Sequence, residues 1–431
     1  MTESTRTKAI ESTATQKPRI VIIGGGFAGL AAARALGHAD AEVVLIDQRN
    51  HHIFQPLLYQ VATAVLSPAD IATPLRQLEV KQRNLAVIMA NVTSIDRGDR
   101  TIGASVPGGG SLVIPFDYLV VAAGARPSYF GHDDFERWAP GLKNLSDAET
   151  IRTRILRAFE LAETAADEGE RTRQMTFVLV GAGPTGVELA ASLAHMTKVT
   201  LRNNFRKIDP AKATIVLVEG AKRVLPSFTE SVSRSAAERL HELGVRVVND
   251  VKVEQVDEQG VMAGGERIPS ATVLWTAGIV ASPIAKMVTD RVDRAGRALV
   301  DPTLRVVDAR DVFVIGDCAS VMKDGHPAPG VAQAAIQQGK YVGRAIAKAL
   351  TGRQITREFR YFDRGNMAVI GKNYAVLERG RWHASGYFVW LLWALVHILS
   401  LPQLQNRLRV QRQWLWSYLT GERAARLIPE R

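Results

Sequence analysis

Residues 19–29 read RIVIIGGGFAG, so a short β-branched run breaks directly into glycines. The alanine-rich segment LAAARAL follows at residues 30–36, and a second β-branched run at residues 42–46 ends at Asp47. A strand, a tight turn, a helix and a second strand in this order predict a βαβ unit. The stretch therefore predicts an α/β fold built on a parallel sheet.

The turn of this unit consists of Gly24, Gly25, Gly26, Phe27, Ala28 and Gly29. Gly24 permits the tight turn, Gly26 lets backbone N–H groups approach a pyrophosphate, and Gly29 allows the helix to pack closely on the strand. The helix N-terminus adds N–H donors and a partial positive charge. Asp47 stands where a carboxylate accepts hydrogen bonds from an adenosine ribose. A structural turn alone would not require this acid, so we predict a dinucleotide site.

The same pattern recurs far downstream, which indicates an internal duplication. Residues 177–180 (FVLV) lead into GAGPTGVELAASLA, with glycines at Gly181, Gly183 and Gly186, and a strand at residues 214–218 ends at Glu219. Residues 196–213 are expected to form an inserted excursion. Two such units predict two dinucleotides, or one flavin and one nicotinamide, and redox chemistry needs the second pairing. A duplicated domain with one inactive site is the alternative.

Glu219 also bears on the choice of nicotinamide cofactor. A carboxylate at this position favours the free 2′-hydroxyl of NADH and repels the 2′-phosphate of NADPH. Lys222 and Arg223 follow closely and weaken this discrimination. We therefore predict a preference for NADH.

Composition excludes several classes of protein. The chain has 431 residues, 54 Lys and Arg, 43 Asp and Glu, and a net charge of +11. This charge suits an anionic membrane surface or cofactor, although a solvated basic surface explains it equally well. No nucleic-acid-binding motif is present, so no nucleic-acid partner is expected. Cys318 is the only cysteine, which excludes an intramolecular disulfide, a redox-active cysteine pair and a multi-cysteine metal site. No metal is predicted, because His51 and His52 are adjacent and lack further spaced ligands.

The C-terminus has a different character from the rest of the chain. Residues 387–401 (YFVWLLWALVHILSL) are almost wholly apolar but fall short of the about 20 residues that a membrane span needs. Residues 406–428 predict a basic amphipathic helix of the kind that lies in a lipid headgroup layer. The alternative is a homodimer interface formed by Trp390, Trp393, Trp414 and Trp416. The first 17 residues lack the apolar run of a signal peptide, so we expect a peripheral, monotopic protein on the cytoplasmic side of the membrane.

Other elements are predicted from local pattern. Gly108, Gly109 and Gly110 predict a hairpin turn, residues 330–350 a helix, and residues 359–376 a mixed strand region. Shorter runs predict strands at residues 86–88, 112–114, 118–121, 245–248, 251–256, 273–275 and 312–315.

Seven segments carry a resemblance to a known family: NHHIFQPLLYQVATAVLSP (50–68), VVAAGARPSYF (120–130), GAGPTGVELA (181–190), WTAGI (275–279), VFVIGDCAS (312–320), APGVAQAAIQQG (328–339) and FRYFDRGNMAVIGKNYAV (359–376). In these segments the chain resembles the type II NADH dehydrogenases. These are single-subunit, FAD-dependent NADH:quinone oxidoreductases of the pyridine nucleotide-disulfide oxidoreductase superfamily. The resemblance extends over residues 18–428 and implies electron transfer from NADH through FAD to a membrane quinone, either menaquinone or ubiquinone.

The resemblance also implies roles for single residues. Asp317 would bind the flavin ribityl chain, Ala123 and Gly124 would form a close turn near FAD, and Val92 would touch the adenine. Gln55 and Pro56 would lie against the isoalloxazine. Further cofactor contacts are implied at Gln48, Thr185, Ala277, Gly278, Ala332 and Gln333.

Four residues are candidates for catalysis. Gln333 and Gln337 share one helical face and, in the family, lie where the quinone headgroup enters; an ordinary polar helix surface is the alternative. Glu188 follows the second glycine turn among apolar neighbours, and the family implicates it in the quinone or proton step. A structural ion pair is its alternative. Lys372 is expected near the same pocket.

The predicted architecture has two Rossmann-like domains and a membrane-associating C-terminus. We expect a flexible tail at 1–17, an FAD domain at 18–145 and 281–352 interrupted by an NAD(H) domain at 146–280, a mixed region at 353–385 and amphipathic helices at 386–431. Without iron–sulfur ligands or a many-helix membrane domain, the enzyme is predicted not to pump protons. Two alternatives remain: an NAD(P)H reductase with ferredoxin or demethylphylloquinone as acceptor, and a membrane-bound flavoprotein redox sensor.

Overall fold

The computed structural model describes residues 8–9, 17–323, 326–353 and 356–429. The chain divides into two compact units. The first unit comprises Met1–His52, Thr73–Arg126 and Ile279–Asp363, and the second comprises Ile53–Ala72, Pro127–Gly278 and Arg364–Arg431. The predicted α/β class is confirmed, since each unit contains a parallel sheet with a glycine turn after one of its strands.

The first unit is built on a six-stranded sheet. Across the sheet the strands are Arg305–Val306, Ala309–Val314, Tyr118–Val121, Arg19–Ile23, Glu42–Asp47 and Leu85–Met89, and every neighbouring pair except the first is parallel. The strand Arg19–Ile23 is wholly buried, as its run of β-branched residues predicts. Helices Phe27–Ala35 and Ala332–Ala349 pack closely, and the backbone of the first leaves no room for a side chain at Gly339.

A second sheet and several short elements complete this unit. The sheet contains Lys8–Ala9, Ser111–Pro115, Thr101–Ser105 and Asn91–Asp96. The predicted hairpin turn at Gly108–Gly110 joins two of these strands. Lys8 and Ala9 thus form a strand inside the segment predicted to be a loose tail, while residues 1–7 and 10–16 of that segment lie outside the described residues. The remaining elements are 3₁₀ turns at Leu75–Lys81, Pro283–Met287 and Gly316–Cys318 and two-residue strands at Ala298–Leu299, Ala319–Ser320, Met322–Lys323 and His326–Pro327.

The second unit repeats the parallel arrangement. Its sheet has the order Val245–Val248, Thr214–Val218, Thr176–Val180 and Thr272–Trp275. The helices around it are Leu145–Thr164, Glu168–Gln174, Pro184–His195 and Glu230–Glu242. The excursion predicted after the second glycine turn contains a π-helical turn at Met196–Thr200 and a 3₁₀ turn at Pro210–Lys212.

Two antiparallel sheets belong to the same unit, formed by Val253–Asp257, Gly260–Ala263 and Glu266–Pro269, and by Asn366–Val369, Ala375–Arg379 and Trp382–Gly386. The mixed strand region predicted at residues 359–376 therefore begins its strands only at Asn366. Shorter elements are helices Leu58–Ala62 and Pro68–Ile71 and 3₁₀ turns at Gln55–Leu57 and Asp133–Arg137. Strands His51–Ile53, Ala72–Pro74 and Ala125–Pro127 lie where the chain passes between units, and Ile279–Ala281 begins the last segment of the first unit.

Residues 53–72 group with the second unit, although the sequence assigned them to the first FAD segment. Hydrogen bonds explain the grouping. The Thr63 hydroxyl lies 2.8 Å from that of Ser192 on helix Pro184–His195. Asn406 donates to the carbonyl oxygens of Ala69 at 3.0 Å and Asp70 at 2.8 Å.

The C-terminal segment forms two helices, Tyr387–Ser400 and Leu404–Thr420. The amphipathic helix predicted to reach residue 428 ends at Thr420, because Gly421 caps it with a left-handed φ of 76°. Within the described part of the chain, no helix combines the length and the apolar character required to cross a bilayer. Trp390, Trp393 and Trp414 are largely covered within the unit, so of the four tryptophans proposed for a dimer interface Trp416 alone is exposed, at 53%.

Candidate functional site

The two glycine turns have the same construction. Gly24 and Gly181 adopt left-handed φ values of 106° and 100°, which favour glycine. A Cβ on Gly29 would overlap the carbonyl oxygen of Gly24, and one on Gly186 would overlap that of Gly181. The first and last glycines of each turn are therefore required by backbone packing.

The middle glycine of each turn faces open space. Gly26 and Gly183 are the N-caps of helices Phe27–Ala35 and Pro184–His195, and neither cap has a side-chain hydrogen bond. No atom of the described residues lies within 4 Å of a Cβ built on either glycine. Neither helix carries an acidic residue in its first turn. Each turn thus presents backbone N–H groups and a helix N-terminus to a free space that fits a pyrophosphate.

An acidic side chain at the end of the neighbouring strand accepts a hydrogen bond from the backbone of each turn. Asp47 is buried and its Oδ2 accepts from the N–H of Gly25 at 2.6 Å, while Glu219 Oε2 accepts from the N–H of Ala182 at 2.6 Å. In both cases the other carboxylate oxygen accepts from the N–H two residues further along the chain, at 2.8 Å. The duplication inferred from the sequence therefore extends to hydrogen bonds, and both carboxylates lie beside the space that a dinucleotide would enter.

The side chain of His52 contacts the backbone and the Phe27 ring of the first glycine turn. Its Nδ1 lies 2.9 Å from the carbonyl oxygen of Gly25, and its ring packs edge-on against Phe27 with centroids 5.1 Å apart. Burial lowers the pKa of His52 to about 4, so the ring is neutral and Nδ1 donates to the carbonyl. His51 Nδ1 instead lies 2.8 Å from Asn50 Oδ1.

Several predicted flavin residues surround the first glycine turn. The carbonyl of Ala122 and the Cα of Ala123 lie against Gly24, and Gly124 has a left-handed φ of 70°. Asp317 lies within the 3₁₀ turn Gly316–Cys318, whose N-cap is Ile315. The sequence did not single out Gln338, which is buried and accepts from the N–H of Gly316 at 2.6 Å. Gln338 thereby fixes the turn that carries Asp317.

Other predicted residues of the first unit have varied surroundings. Val92 is buried beside a register shift in its strand pairing, and Gln48 is exposed. Ala332 and Gln333 begin helix Ala332–Ala349. The Gln337 amide is bonded to the backbone of Phe362, donating to its carbonyl and accepting from its N–H at 2.9 Å each.

The remaining predicted cofactor residues belong to the second unit. Gln55 and Pro56 form a 3₁₀ turn, in which the Gln55 amide donates to the carbonyl of Lys143 at 3.0 Å. Thr185 is exposed in the first turn of helix Pro184–His195, and the backbone of Ala277 packs against Gly181. Gly278 has a left-handed φ of 66° and lies beside the ring of Phe130.

A cavity of about 380 Å³ lies within the second unit. Residues from four parts of the chain line it. These parts are the segment that follows the 3₁₀ turn Gln55–Leu57, the helix Pro184–His195, the loop around residue 371 and the two C-terminal helices. Most of its surface is apolar and aromatic. Glu188 and Lys372, predicted from distant parts of the sequence, both line this cavity, whereas Gln333 and Gln337 belong to the first unit.

Glu188 and Lys372 differ in their surroundings. Burial raises the pKa of Glu188 to about 8, and its Oε1 accepts a hydrogen bond from the Val369 N–H at 3.2 Å. Lys372 is exposed, and its Nζ donates to the carbonyl of Tyr418 at 2.8 Å and lies 4.1 Å from the ring centroid of that residue. Glu188 is therefore a carboxyl that holds and releases a proton near neutral pH.

Four further cavity residues were not predicted: Tyr59, Gln60, Trp414 and Arg423. Trp414 Nε1 donates to Gln60 Oε1 at 2.6 Å, and Gln60 Nε2 donates to the Tyr59 hydroxyl at 2.9 Å. Arg423 is buried and donates to the carbonyls of Thr63 and Ser192 at 2.7 and 3.0 Å. Burial lowers the pKa of Arg423 to about 9. In the sequence, the one indication of Tyr59 and Gln60 is that they are the polar residues of the otherwise apolar segment PLLYQ, residues 56–60.

Comparison with solved structures supports the fold. The chain is similar to the NDH2 structure from Plasmodium falciparum in complex with NADH, with a TM-score of 0.86, 20% identity, and coverage of 96% of this chain and 100% of that one. It is also similar to the sulfide:quinone oxidoreductase of Aquifex aeolicus, with a TM-score of 0.67, 18% identity, and coverage of 94% and 92%.

Sequence comparison is more specific. Residues 18–339 match the pyridine nucleotide-disulphide oxidoreductase family model. Two proteins of Mycobacterium tuberculosis (strain ATCC 25618 / H37Rv), the type II NADH:quinone oxidoreductases NdhA and Ndh, are each 41% identical to the chain. The alignments cover 95% and 96% of this chain and 89% and 91% of those proteins. Because this similarity extends over at least 95% of the chain, the chain belongs to the type II NADH:quinone oxidoreductases, within the pyridine nucleotide-disulphide oxidoreductase family.

Proposed function

We propose that this protein oxidises NADH and reduces a membrane quinone without pumping protons, using FAD as its flavin. One observation carries the proposal: a single chain holds two glycine turns of identical construction, each braced by a carboxylate from the next strand. FAD, when bound, supplies the chemistry that accepts a hydride and passes its two electrons on.

In this proposal the first turn holds FAD. The N–H groups around Gly26 bind the pyrophosphate, and Asp47 accepts from the ribose at the edge of the turn. Ala123 and Asp317 are assigned to the same space, because Gly24 packs on Ala123 and Gly316, which precedes Asp317, lies against Ala28 of the turn; Gly124 follows Ala123 in the chain. Proposed from family resemblance, further contacts come from Gln48, Gln55, Pro56, Val92, Ala332 and Gln333.

The second turn holds NADH. Gly183 leaves space for the pyrophosphate, and Thr185 in the first turn of the helix supplies a hydroxyl beside it. Glu219 brings a negative charge to the ribose position, which disfavours a 2′-phosphate and hence NADPH. Ala277 packs against Gly181 of this turn, and Gly278 follows it in the chain.

We place the quinone headgroup in the cavity of the second unit. Its volume of about 380 Å³ lies within the range of about 300–1,000 Å³ typical of small-molecule sites. The mostly apolar and aromatic lining suits an aromatic ring, and Glu188 holds a proton there near neutral pH. Lys372 is fixed at the rim by Tyr418. Gln333 and Gln337 remain candidates for the quinone step on the strength of the family resemblance alone.

We also propose that the C-terminal helices attach the protein to the membrane surface. Apolar side chains project from them into solvent, among them Phe388 and Leu419, which are 83% and 72% exposed. Such a face suits the boundary between headgroups and acyl chains, from which a lipophilic quinone would also arrive.

Steady-state kinetics on the purified, flavin-loaded protein test the function. We expect the bound flavin to be FAD and NADH oxidation to depend on menaquinone or ubiquinone analogues, with ferricyanide as a control acceptor that needs no quinone site. Ferredoxin should be reduced far more slowly. Flavin-loaded protein that turns over with ferricyanide but with neither quinone would overturn the proposal, and so would faster reduction of ferredoxin.

A further inference from the structure

A hydrogen-bonded row of three side chains lines the quinone cavity. Trp414 Nε1 lies 2.6 Å from Gln60 Oε1, and Gln60 Nε2 lies 2.9 Å from the Tyr59 hydroxyl oxygen. Tyr59 and Gln60 are 5% and 6% exposed, so both are withdrawn from bulk water. All three residues border the cavity that also contains Glu188.

The chemistry of the indole group fixes the direction of this row. An indole N–H can only donate, so the Gln60 atom that faces Trp414 must be the amide oxygen. The amide nitrogen then faces Tyr59, and because an NH₂ group can also only donate, the Tyr59 oxygen must be the acceptor. The hydroxyl proton of Tyr59 therefore points away from Gln60.

This proton has no acceptor within the described part of the chain, since the bond from Gln60 is the hydrogen bond that the Tyr59 hydroxyl makes there. A buried hydroxyl that accepts one hydrogen bond is a stronger donor in the next, because aligned hydrogen bonds polarise one another. Burial, and then the charge of nearby Glu188, raises the pKa of Tyr59 well above its usual value. The hydroxyl thus keeps its proton across the pH range in which Glu188 titrates.

Resting on the proposed function, we propose that Tyr59 is a catalytic residue whose hydroxyl donates a hydrogen bond to a carbonyl oxygen of the quinone in this cavity, with Gln60 and Trp414 as positioning residues. The carbonyl oxygen gains negative charge as the ring is reduced, so a fixed donor stabilises the reduced form more than the oxidised form. Tyr59 does not transfer its proton.

The hydrogen bond from Trp414 also connects the C-terminal helix Leu404–Thr420 to the proposed catalytic residue. Trp414 belongs to this helix, whereas Tyr59 and Gln60 belong to helix Leu58–Ala62, some 350 residues earlier in the chain. The orientation of the Gln60 amide, and through it that of the Tyr59 hydroxyl, depends on the C-terminal helix.

The test compares Tyr59→Phe with the wild-type holoenzyme, using ferricyanide and menaquinone analogues as acceptors. We expect quinone-dependent kcat to fall by about 100-fold, in line with the loss of one donor to a developing oxyanion, with ferricyanide turnover and flavin content unchanged. Tyr374→Phe removes a hydroxyl of the same kind outside the cavity and should behave as wild type. Equal quinone turnover by the Tyr59→Phe and wild-type enzymes would overturn the proposal.

A double-mutant cycle tests the positioning role. Trp414→Phe keeps an aromatic ring but removes the indole N–H, and we expect it to slow quinone reduction by about tenfold in the wild-type background. In the Tyr59→Phe background it should have no further effect, because the group through which it acts is already missing. Additive losses would show that Trp414 acts structurally and would refute the proposed row.

A spectroscopic measurement keeps the proposal open to test if turnover changes for other reasons. The infrared carbonyl band of a bound menaquinone analogue should shift to lower frequency in wild type and back in Tyr59→Phe. An identical band in both proteins would reject the hydrogen bond. Absence of quinone turnover in the wild-type protein would instead refute the proposed function itself, so the two failures are distinguishable.

Discussion

Burial raises the pKa of Glu188 to about 8, although the hydrogen bond from the Val369 N–H favours the charged carboxylate. Between its ordinary value of 4.5 and about 8, the folded chain keeps a proton that the unfolded chain has released. The folded state thus binds more protons in this window, so the contribution of Glu188 to stability falls as pH rises through it. Glu188→Gln, which cannot ionise, should lose less stability over the same range.

The measurement is the difference in Tm between wild type and Glu188→Gln at pH 5 and pH 8.5. The exposed Glu238→Gln serves as the matched control and should follow wild type. Quinone-dependent kcat of the wild type should decline above about pH 8 as Glu188 loses its proton, while that of Glu188→Gln is low and flat. If the difference in Tm between wild type and Glu188→Gln were the same at both pH values, Glu188 would not be a buried carboxyl that keeps its proton near neutral pH.

Glu219 supplies the second residue-scale prediction. Both its oxygens are held by backbone N–H groups, so an amide at this position would turn an NH₂ group towards one of these donors. Glu219→Gln should lower the ratio of kcat/KM for NADH over NADPH by about tenfold, because it removes the charge-assisted bond to the ribose and the repulsion of a 2′-phosphate. Assays with ferricyanide as acceptor measure the ratio. An unchanged ratio, equal to that of the exposed-acid control Glu266→Gln, would count against the assignment.

At the scale of the element, two glycines of the first glycine turn have different roles, since one is required for packing and the other leaves space for the cofactor. Gly29→Ala should lower Tm, because the new methyl group overlaps the carbonyl of Gly24, and overpacking of this kind costs about 1–3 kcal/mol. Gly26→Ala meets no atom of the described residues and has an ordinary φ of −72°, so the fold should be unchanged. Its methyl group would instead occupy the pyrophosphate space and lower the flavin content.

The ratio of flavin to protein absorbance, together with Tm, distinguishes these two outcomes. Full flavin occupancy in Gly26→Ala would show that the pyrophosphate does not approach this glycine.

The elements that could be predicted from the sequence are those governed by local rules. Strand Thr214–Val218 agrees with its prediction residue for residue, and Arg19–Ile23 does so as well, because β-branched runs and glycine turns need no distant partner. The cavity could not be predicted in this way. Its polar row joins Gln60 to Trp414 across 354 positions of the chain, and Arg423 reaches Thr63 over a similar separation. The sequence places Trp414 within the helix predicted to lie at the membrane, whereas in the fold its side chain lines the cavity.

At the scale of the whole molecule, the C-terminal segment has two distinct faces. Asn406, Arg423 and Trp393 are each 3% exposed, and the first two donate to backbone carbonyls of the segment Ile53–Ala72 or its neighbours. Leu404, Leu408, Leu415 and Leu419 project outward at helical spacing. Deleting residues 386–431 would therefore expose buried surface and break the cavity, so substitutions on the outer face are the cleaner test of membrane attachment.

The combined variant Leu404→Gln, Leu408→Gln and Leu419→Gln should bind vesicles at least about tenfold more weakly, since burying one leucine contributes roughly 1.5–3 kcal/mol. The basic charge of +11 predicts tighter binding to anionic than to neutral vesicles, and weaker binding in high salt. Co-sedimentation with phosphatidylglycerol-containing vesicles measures both effects. Val80, Leu161 and Leu299 are also exposed, and their replacement by glutamine is the matched control that should leave binding unchanged. If both triple variants co-sediment like wild type, the outer face of the C-terminal helices is not the surface that meets the membrane.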